Sequence, residues 1–215
     1  MAKSKKKSNL ISLILKGCVV LFSALTILSF FLPTFGPASA DIEKGKVASF
    51  QICFVSYETA SDRAAEYTGV ALEESIKGNK ELASQATNKA RIYQSIADLK
   101  NPESKFASKT NATAWFHFIS AVTAIGAIVL VALSFFMKIH PAILRLLMIL
   151  EFVLMLISLI IGISLLNTVD TLIFSEYALK DYFSLRFGGV ILGLISAALT
   201  NVACWIPIKG KNINS

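Results

Sequence analysis

The chain of 215 residues is 54% hydrophobic and only 16% charged. That balance fits lipid-facing helices with one modest aqueous domain and leaves no room for a second globular domain. Its net charge of +7 does not point to nucleic acid, because the excess sits at the helix ends that face one side of a membrane. With the amino terminus in the cytoplasm, the inside segments hold Lys3, Lys5, Lys6, Lys7, Lys138, Arg145, Lys209 and Lys211 and no acid. The outer segment 34–111 holds ten bases and ten acids, and the segment 167–186 two bases and three acids. The positive-inside rule therefore sets both termini in the cytoplasm of an integral protein, with the plasma membrane as the expected location.

A basic start, 1–9, leads into the first apolar stretch, Leu10 to Leu32, about as long as the ~20 residues needed to cross a hydrocarbon core. Two readings of this stretch stand side by side. Ala38-Ser39-Ala40 before Asp41 has the small-x-small form of a signal-peptidase site, with Gly36 and Pro37 just upstream. Against cleavage, an apolar run from Leu10 exceeds the usual ~7–15 residues of a signal core, and a retained span is the preferred reading. Lys16 lies six to eight residues into that span.

The extracytoplasmic segment 34–111 has two parts. Val47 to Tyr57 alternates Phe50, Ile52 and Phe54 with Gln51 and Cys53, which predicts a short strand or an extended segment. After Ser56, Ala60, Ala64, Tyr67 and Ala71 recur at helical spacing, as do Leu82, Ala86, Ala90, Tyr93 and Ala97. Gly78-Asn79 separates the two runs and Asn101-Pro102 ends the second, so the pattern predicts a helical hairpin with a mostly alanine stripe. Cys53 has no second cysteine outside the membrane, since Cys18 and Cys204 lie within spans, and no disulfide within this domain follows.

The remaining spans are Ala112 to Met137, Ala142 to Leu166 and Phe187 to Ile208, numbered 112–137, 142–166 and 187–208, with 167–186 as a second outer loop. That loop carries Leu172, Phe174, Tyr177, Leu179, Tyr182 and Phe183, an apolar set expected to pack beneath the larger outer segment or to lie at the lipid interface. Trp115, Tyr177, Tyr182 and Trp205 fall at the span boundaries, where amphipathic rings belong.

Ionisable residues within a membrane are costly and stand as functional candidates. Lys16 and Glu151, nine residues into the third span, fall at similar depth, and Asn201 approaches the same level on the fourth. The three form a candidate polar cluster. As a binding site it serves an ion or a proton; as structure it sets helix register, with Lys16 snorkelling as a further reading. His117 has no Cys, Asp or second His at ligand spacing and reads as an interfacial or hydrogen-bonded residue, and His140-Pro141 reads as a turn. Gly189, Gly193, Ala197 and Asn201 recur every four residues on the fourth span, and Glu151, Met155, Ser158 and Gly162 line one face of the third. Such strips of small residues mark close helix packing, here expected within the chain.

The layout of a basic terminus, long first outer loop, tight inner turn and smaller second outer loop resembles claudins and the peripheral myelin protein type of tetraspan. The resemblance is one of topology. The W…G-L-W…C…C signature of claudins is absent, because Cys53 stands alone and no Trp precedes Trp115, so no residue role carries over.

No Gly-rich phosphate loop, H-E-x-x-H, C-x-x-C or nucleophile elbow is present. The fold class expected is an all-α integral membrane protein, a bundle of four transmembrane helices with an extracytoplasmic helical hairpin and a short strand. The function expected is non-enzymatic, with no cofactor and no metal: an outer domain that contacts a protein partner or a second copy, as an accessory subunit of a membrane complex. The alternative is a small transporter or channel subunit built on Lys16, Glu151 and Asn201.

Overall fold

The computed structural model describes residues 2–170 and 178–206, with side chains from Leu10 onward. Seven α-helices occur in the described residues: α1 (Ala2–Phe31), α2 (Ser49–Phe54), α3 (Tyr57–Ile76), α4 (Lys80–Lys100), α5 (Phe106–Leu133), α6 (Pro141–Leu166) and α7 (Leu192–Trp205). Three short strands join them: β1 (Pro33–Pro37), β2 (Val47–Ala48) and β3 (Phe183–Leu185).

Four segments are long and apolar enough to cross a membrane: Leu10–Phe31, Phe106–Leu133, Pro141–Leu166 and Phe187–Trp205. Helix α1 packs on α5 and α7, and α6 packs on the same two, which gives a four-helix arrangement with α1 and α6 on one diagonal. Their sequence patterns explain the ends. Pro141 begins α6, where its missing N–H costs nothing, and the His140 ring accepts a hydrogen bond from Ala142 N–H at 3.3 Å. The fourth segment opens with a π-type turn, Phe187–Ile191, interrupted by non-helical Gly189, before α7 continues.

At one end of the bundle lies an antiparallel sheet of order β2-β1-β3. Phe35 pairs with Val47 on one side and Leu185 on the other, so residues just after the first span form the central strand and residues just before the fourth span form an edge. The alternation at 47–57 gives only the two residues of β2. Ser49 to Phe54 is helix α2, because Gln51 reaches back to accept from Ala48 N–H at 2.9 Å and Lys100 donates to the terminal carbonyls of Ile52 and Val55 at 2.8 and 2.6 Å. Short apolar runs fit either a strand or a buried helical turn, and a cation supplied by α4 decides this one.

The hairpin of α3 and α4 is present. The Ser56 hydroxyl caps α3 by accepting from Thr59 N–H at 3.1 Å, and Gly78, with φ of 79°, makes the turn. Ala60, Ala64, Ala86, Ala90 and Ala97 are buried along the seam, and Tyr67 stacks on Tyr93 with ring centroids 5.7 Å apart. Leu82 departs from the expected stripe and is 52% exposed.

One apolar core joins sheet, hairpin base and bundle end through Phe35, Ile52, Ile96, Leu99, Phe106 and Leu165. Leu179 and Phe183 of the second loop are buried in this core, so that part of the loop packs beneath the larger segment. Leu172, Phe174 and Tyr177 lie outside the described residues.

Candidate functional site

Among the described residues, the polar interior of the bundle and the distal half of the hairpin offer chemistry beyond packing. In the interior, Glu151 is fully buried on α6, and neither carboxyl oxygen has a hydrogen-bond partner at bonding geometry. Thr26 on α1 faces it, but the Thr26 hydroxyl donates to the Phe22 carbonyl at 3.3 Å. The backbone carbonyl of Glu151 accepts from Ser120 at 3.2 Å. Lys16 does not reach Glu151: its ammonium lies 4.7 Å from the centroid of the Phe135 ring, held by the ring's negative face. Asn201 is half-buried and bonds to neither. No ion pair or hydrogen bond joins Lys16, Glu151 and Asn201 in the structure, and Lys16 turns instead to the Phe135 ring. Equal depth along a bundle says nothing about rotation.

The small-residue strips do meet partners within the chain. A side chain at Gly193 would strike Ser29 Oγ and the Met155 side chain, and one at Gly189 would come within 2.5 Å of the Thr34 backbone. Ala197 is buried beside Met155 and Val190. On α6, the Ser158 hydroxyl donates to the Thr113 carbonyl at 2.8 Å, and Gly162 sits against Thr113 and Leu185.

His117, expected from the sequence to be an interfacial or hydrogen-bonded residue, lies in the interior near the outer end of α5. It is fully buried, with Nε2 at 2.9 Å from Ser29 Oγ and Nδ1 at 2.9 Å from Ser49 Oγ, and Ser49 lies 2.8 Å from Thr34 Oγ1. The Ser29 hydroxyl proton goes to the Thr26 carbonyl at 2.7 Å, so Ser29 accepts from Nε2–H and Nδ1 accepts from Ser49. The chain of bonds runs Thr34 to Ser49 to His117 to Ser29 and ties α1, β1, α2 and α5 together. Ser29, Ser49 and Thr34 stand 68 to 88 positions from His117 in sequence, and no local pattern marks them. Solvent does not reach this histidine, and no carboxylate orients its ring. The arrangement fixes geometry; it does not make a nucleophile.

The hairpin base is fastened by charge as well as by core. Lys44 pairs with Asp98 at 2.5 Å, Arg91 with Glu43 at 2.7 Å, and Gly45 N–H donates to Ser95 at 2.8 Å. Beneath it, burial pushes the Cys53 thiol up to about 11 and holds the Lys100 ammonium below its ordinary value. Thiolate is the reactive form, so Cys53 is a poor nucleophile near neutral pH. All three cysteines are free.

Helix α3 packs chiefly on α4, and α4 also meets α2, β2 and α5. Leu72, Ile76 and Leu82 are 65%, 80% and 52% exposed, and Val70 is 40% exposed. Val70 and Leu82 line a shallow groove between the arms with Tyr67, Glu74 and Lys89. Single exposed apolar residues are ordinary, but several gathered at one projecting end are a feature of contact surfaces. No group of three or more His, Cys, Asp and Glu able to hold a metal occurs among the described residues. Comparison with protein-family models, curated proteins and solved structures gives no match.

Proposed function

We propose that this is a non-enzymatic polytopic membrane protein whose extracytoplasmic hairpin binds a protein partner, as an accessory subunit of a plasma-membrane complex. The observation that carries the reading is the distal end of α3 and α4, where Val70, Leu72, Ile76 and Leu82 are exposed and stand outside the apolar core. From Tyr67 to Ile76 the arm extends ~14 Å at 1.5 Å per residue, which lifts these side chains clear of the sheet. The basic excess at the opposite end of the bundle supports a cytoplasmic placement of both termini and an outer placement of the hairpin. Retention of the first span is supported by its role in packing, because cleavage after Ala40 removes both α1 and the central strand.

A photo-crosslinking amino acid placed at Leu72 or Ile76 of the full-length protein in its native membrane tests the reading. The expected result is a discrete higher-mass adduct that disappears when Leu82 is changed to Ser alongside. Probes at the exposed α4 position Gln94, near the hairpin base, serve as the comparison. Equal, diffuse labelling from Leu72 and Gln94 would count against a hairpin contact.

A further inference from the structure

We propose that α2 is a foot of the hairpin domain set into the acyl boundary of the nearer leaflet, with Phe50 and Phe54 in hydrocarbon beside Phe31 and Trp115. The six residues of α2 present two faces. Ser49 and Ile52 are buried, and Ile52 belongs to the core beneath the hairpin. Phe50 and Phe54, four positions apart and so on one face, are 41% and 58% exposed. Helix α2 packs on α5, and Lys100 of α4 donates to the Ile52 and Val55 carbonyls at its end, so this face is fixed between hairpin and bundle.

The two rings do not stand alone. Centroid distances of 5.2 Å from Phe31 to Phe50, 5.2 Å from Phe50 to Phe54, 5.8 Å from Phe54 to Phe118 and 5.4 Å from Phe118 to Trp115 join them into one band across α1, α2 and α5. Phe31 and Trp115, at its two ends, are exposed as well. A contiguous apolar band is an interaction surface in a way that scattered exposed side chains are not.

Its level along the bundle names the partner. The stretch Leu10–Phe31 rises ~32 Å at 1.5 Å per residue, and Trp115 stands ~27 Å along α5 from Leu133, against ~30 Å for a hydrocarbon core. Phe31 and Trp115 thus mark one boundary of that core, and the rings between them bring Phe50 and Phe54 to the same level. The sequence turns polar just beyond it, with Asn111 and Lys109 above Trp115 on α5 and Ser56 and Glu58 directly after α2. Towards the middle of the spans the band runs on into exposed Leu28, Ile119 and Val122, the surface that α1 and α5 turn to lipid. Acyl chains cover such a band with no polar group to satisfy, and an indole at the boundary keeps its N–H wet. The inference rests on the four apolar helices crossing a bilayer and is independent of what the hairpin binds.

The test uses the full-length protein in phosphatidylcholine vesicles whose acyl chains carry bromine near the carbonyl end or near the methyl end, since bromine quenches a tryptophan that touches it. In a Trp115→Phe, Trp205→Phe background, single tryptophans are placed by Phe50→Trp, Phe54→Trp, Ile125→Trp and Leu72→Trp. Emission at Phe50→Trp and Phe54→Trp is expected to fall, more with shallow bromine than with deep, and as far as that of Trp115 in the Trp205→Phe protein, where the band is unaltered. Ile125→Trp, at an exposed position near mid-span, should respond more to deep bromine, and Leu72→Trp, far along the hairpin, to neither. Unquenched Phe50→Trp and Phe54→Trp beside a quenched Ile125→Trp would overturn the inference and leave the membrane reading standing, whereas an unquenched Ile125→Trp would overturn both. Quenching at α2 that emerges only when the protein is diluted in lipid would assign this face to a second copy of the chain, and the inference would fall.

Discussion

At the scale of single residues, Glu151 reverses an expectation. A carboxylate paired with Lys16 is destabilising to remove, because its partner is left charged in a poor solvent. The structure gives Glu151 no such partner and leaves both its oxygens unbonded in the interior. Glu151→Leu, close in volume and without a polar group to satisfy, should therefore keep thermal stability in detergent or raise it, by up to about 3 kcal/mol. Lys16→Met in the same background should add independently, within about 0.5 kcal/mol. A large loss in Glu151→Leu that is recovered by Lys16→Met would restore the ion pair and refute this account. His117 is the opposite case, a buried polar group whose two ring nitrogens both have hydroxyl partners, and it gains its role entirely from residues remote in the chain.

Among elements, the glycines show how one residue type serves different ends. Gly189 is required by a close approach: any Cβ there meets the backbone of Thr34, which cannot swing aside as a flexible side chain does. Gly189→Ala is expected to cost roughly 1–3 kcal/mol, the usual range for overpacking. Gly69 stands in the middle of α3, where an added methyl group would find nothing within 4 Å, and there the glycine only adds chain entropy to be lost on folding. Gly69→Ala should stabilise by about 0.5–1 kcal/mol. Thermal melts of the two variants against the parent protein should thus shift in opposite directions, and shifts of the same sign would contradict the packing of the fourth span on β1.

For the whole molecule, the arrangement makes the first forty residues integral to the fold. Residues 33–37 supply the central strand, with Phe35 fully buried, and α1 carries Ser29 to His117 and Gly193. A chain starting at Asp41 should fail to give a monodisperse species in mild detergent. The intact mass of the purified full-length protein should include α1, whereas a mature chain beginning at Asp41 that remains folded would require a different bundle.

The sequence by itself determined the elements whose signals are local. Four apolar runs, the Gly78 turn, the Asn101-Pro102 stop and the alanine periodicity each depend on residues a few positions apart, because helix formation and termination are governed within one or two turns. The strips with Ser158, Gly162, Gly189, Gly193 and Ala197 announced close packing but not its partners. Only the tertiary structure decided that Ser49 to Phe54 is helical, that β1 joins β2 to β3, and that Lys16 lies over the Phe135 ring and makes no ion pair with Glu151. The physical reason is rotational: periodicity says which residues share one helix face, while the contact between faces of different helices is fixed by packing over the whole bundle. The Thr34–Ser49–His117–Ser29 chain depends on that packing at every bond.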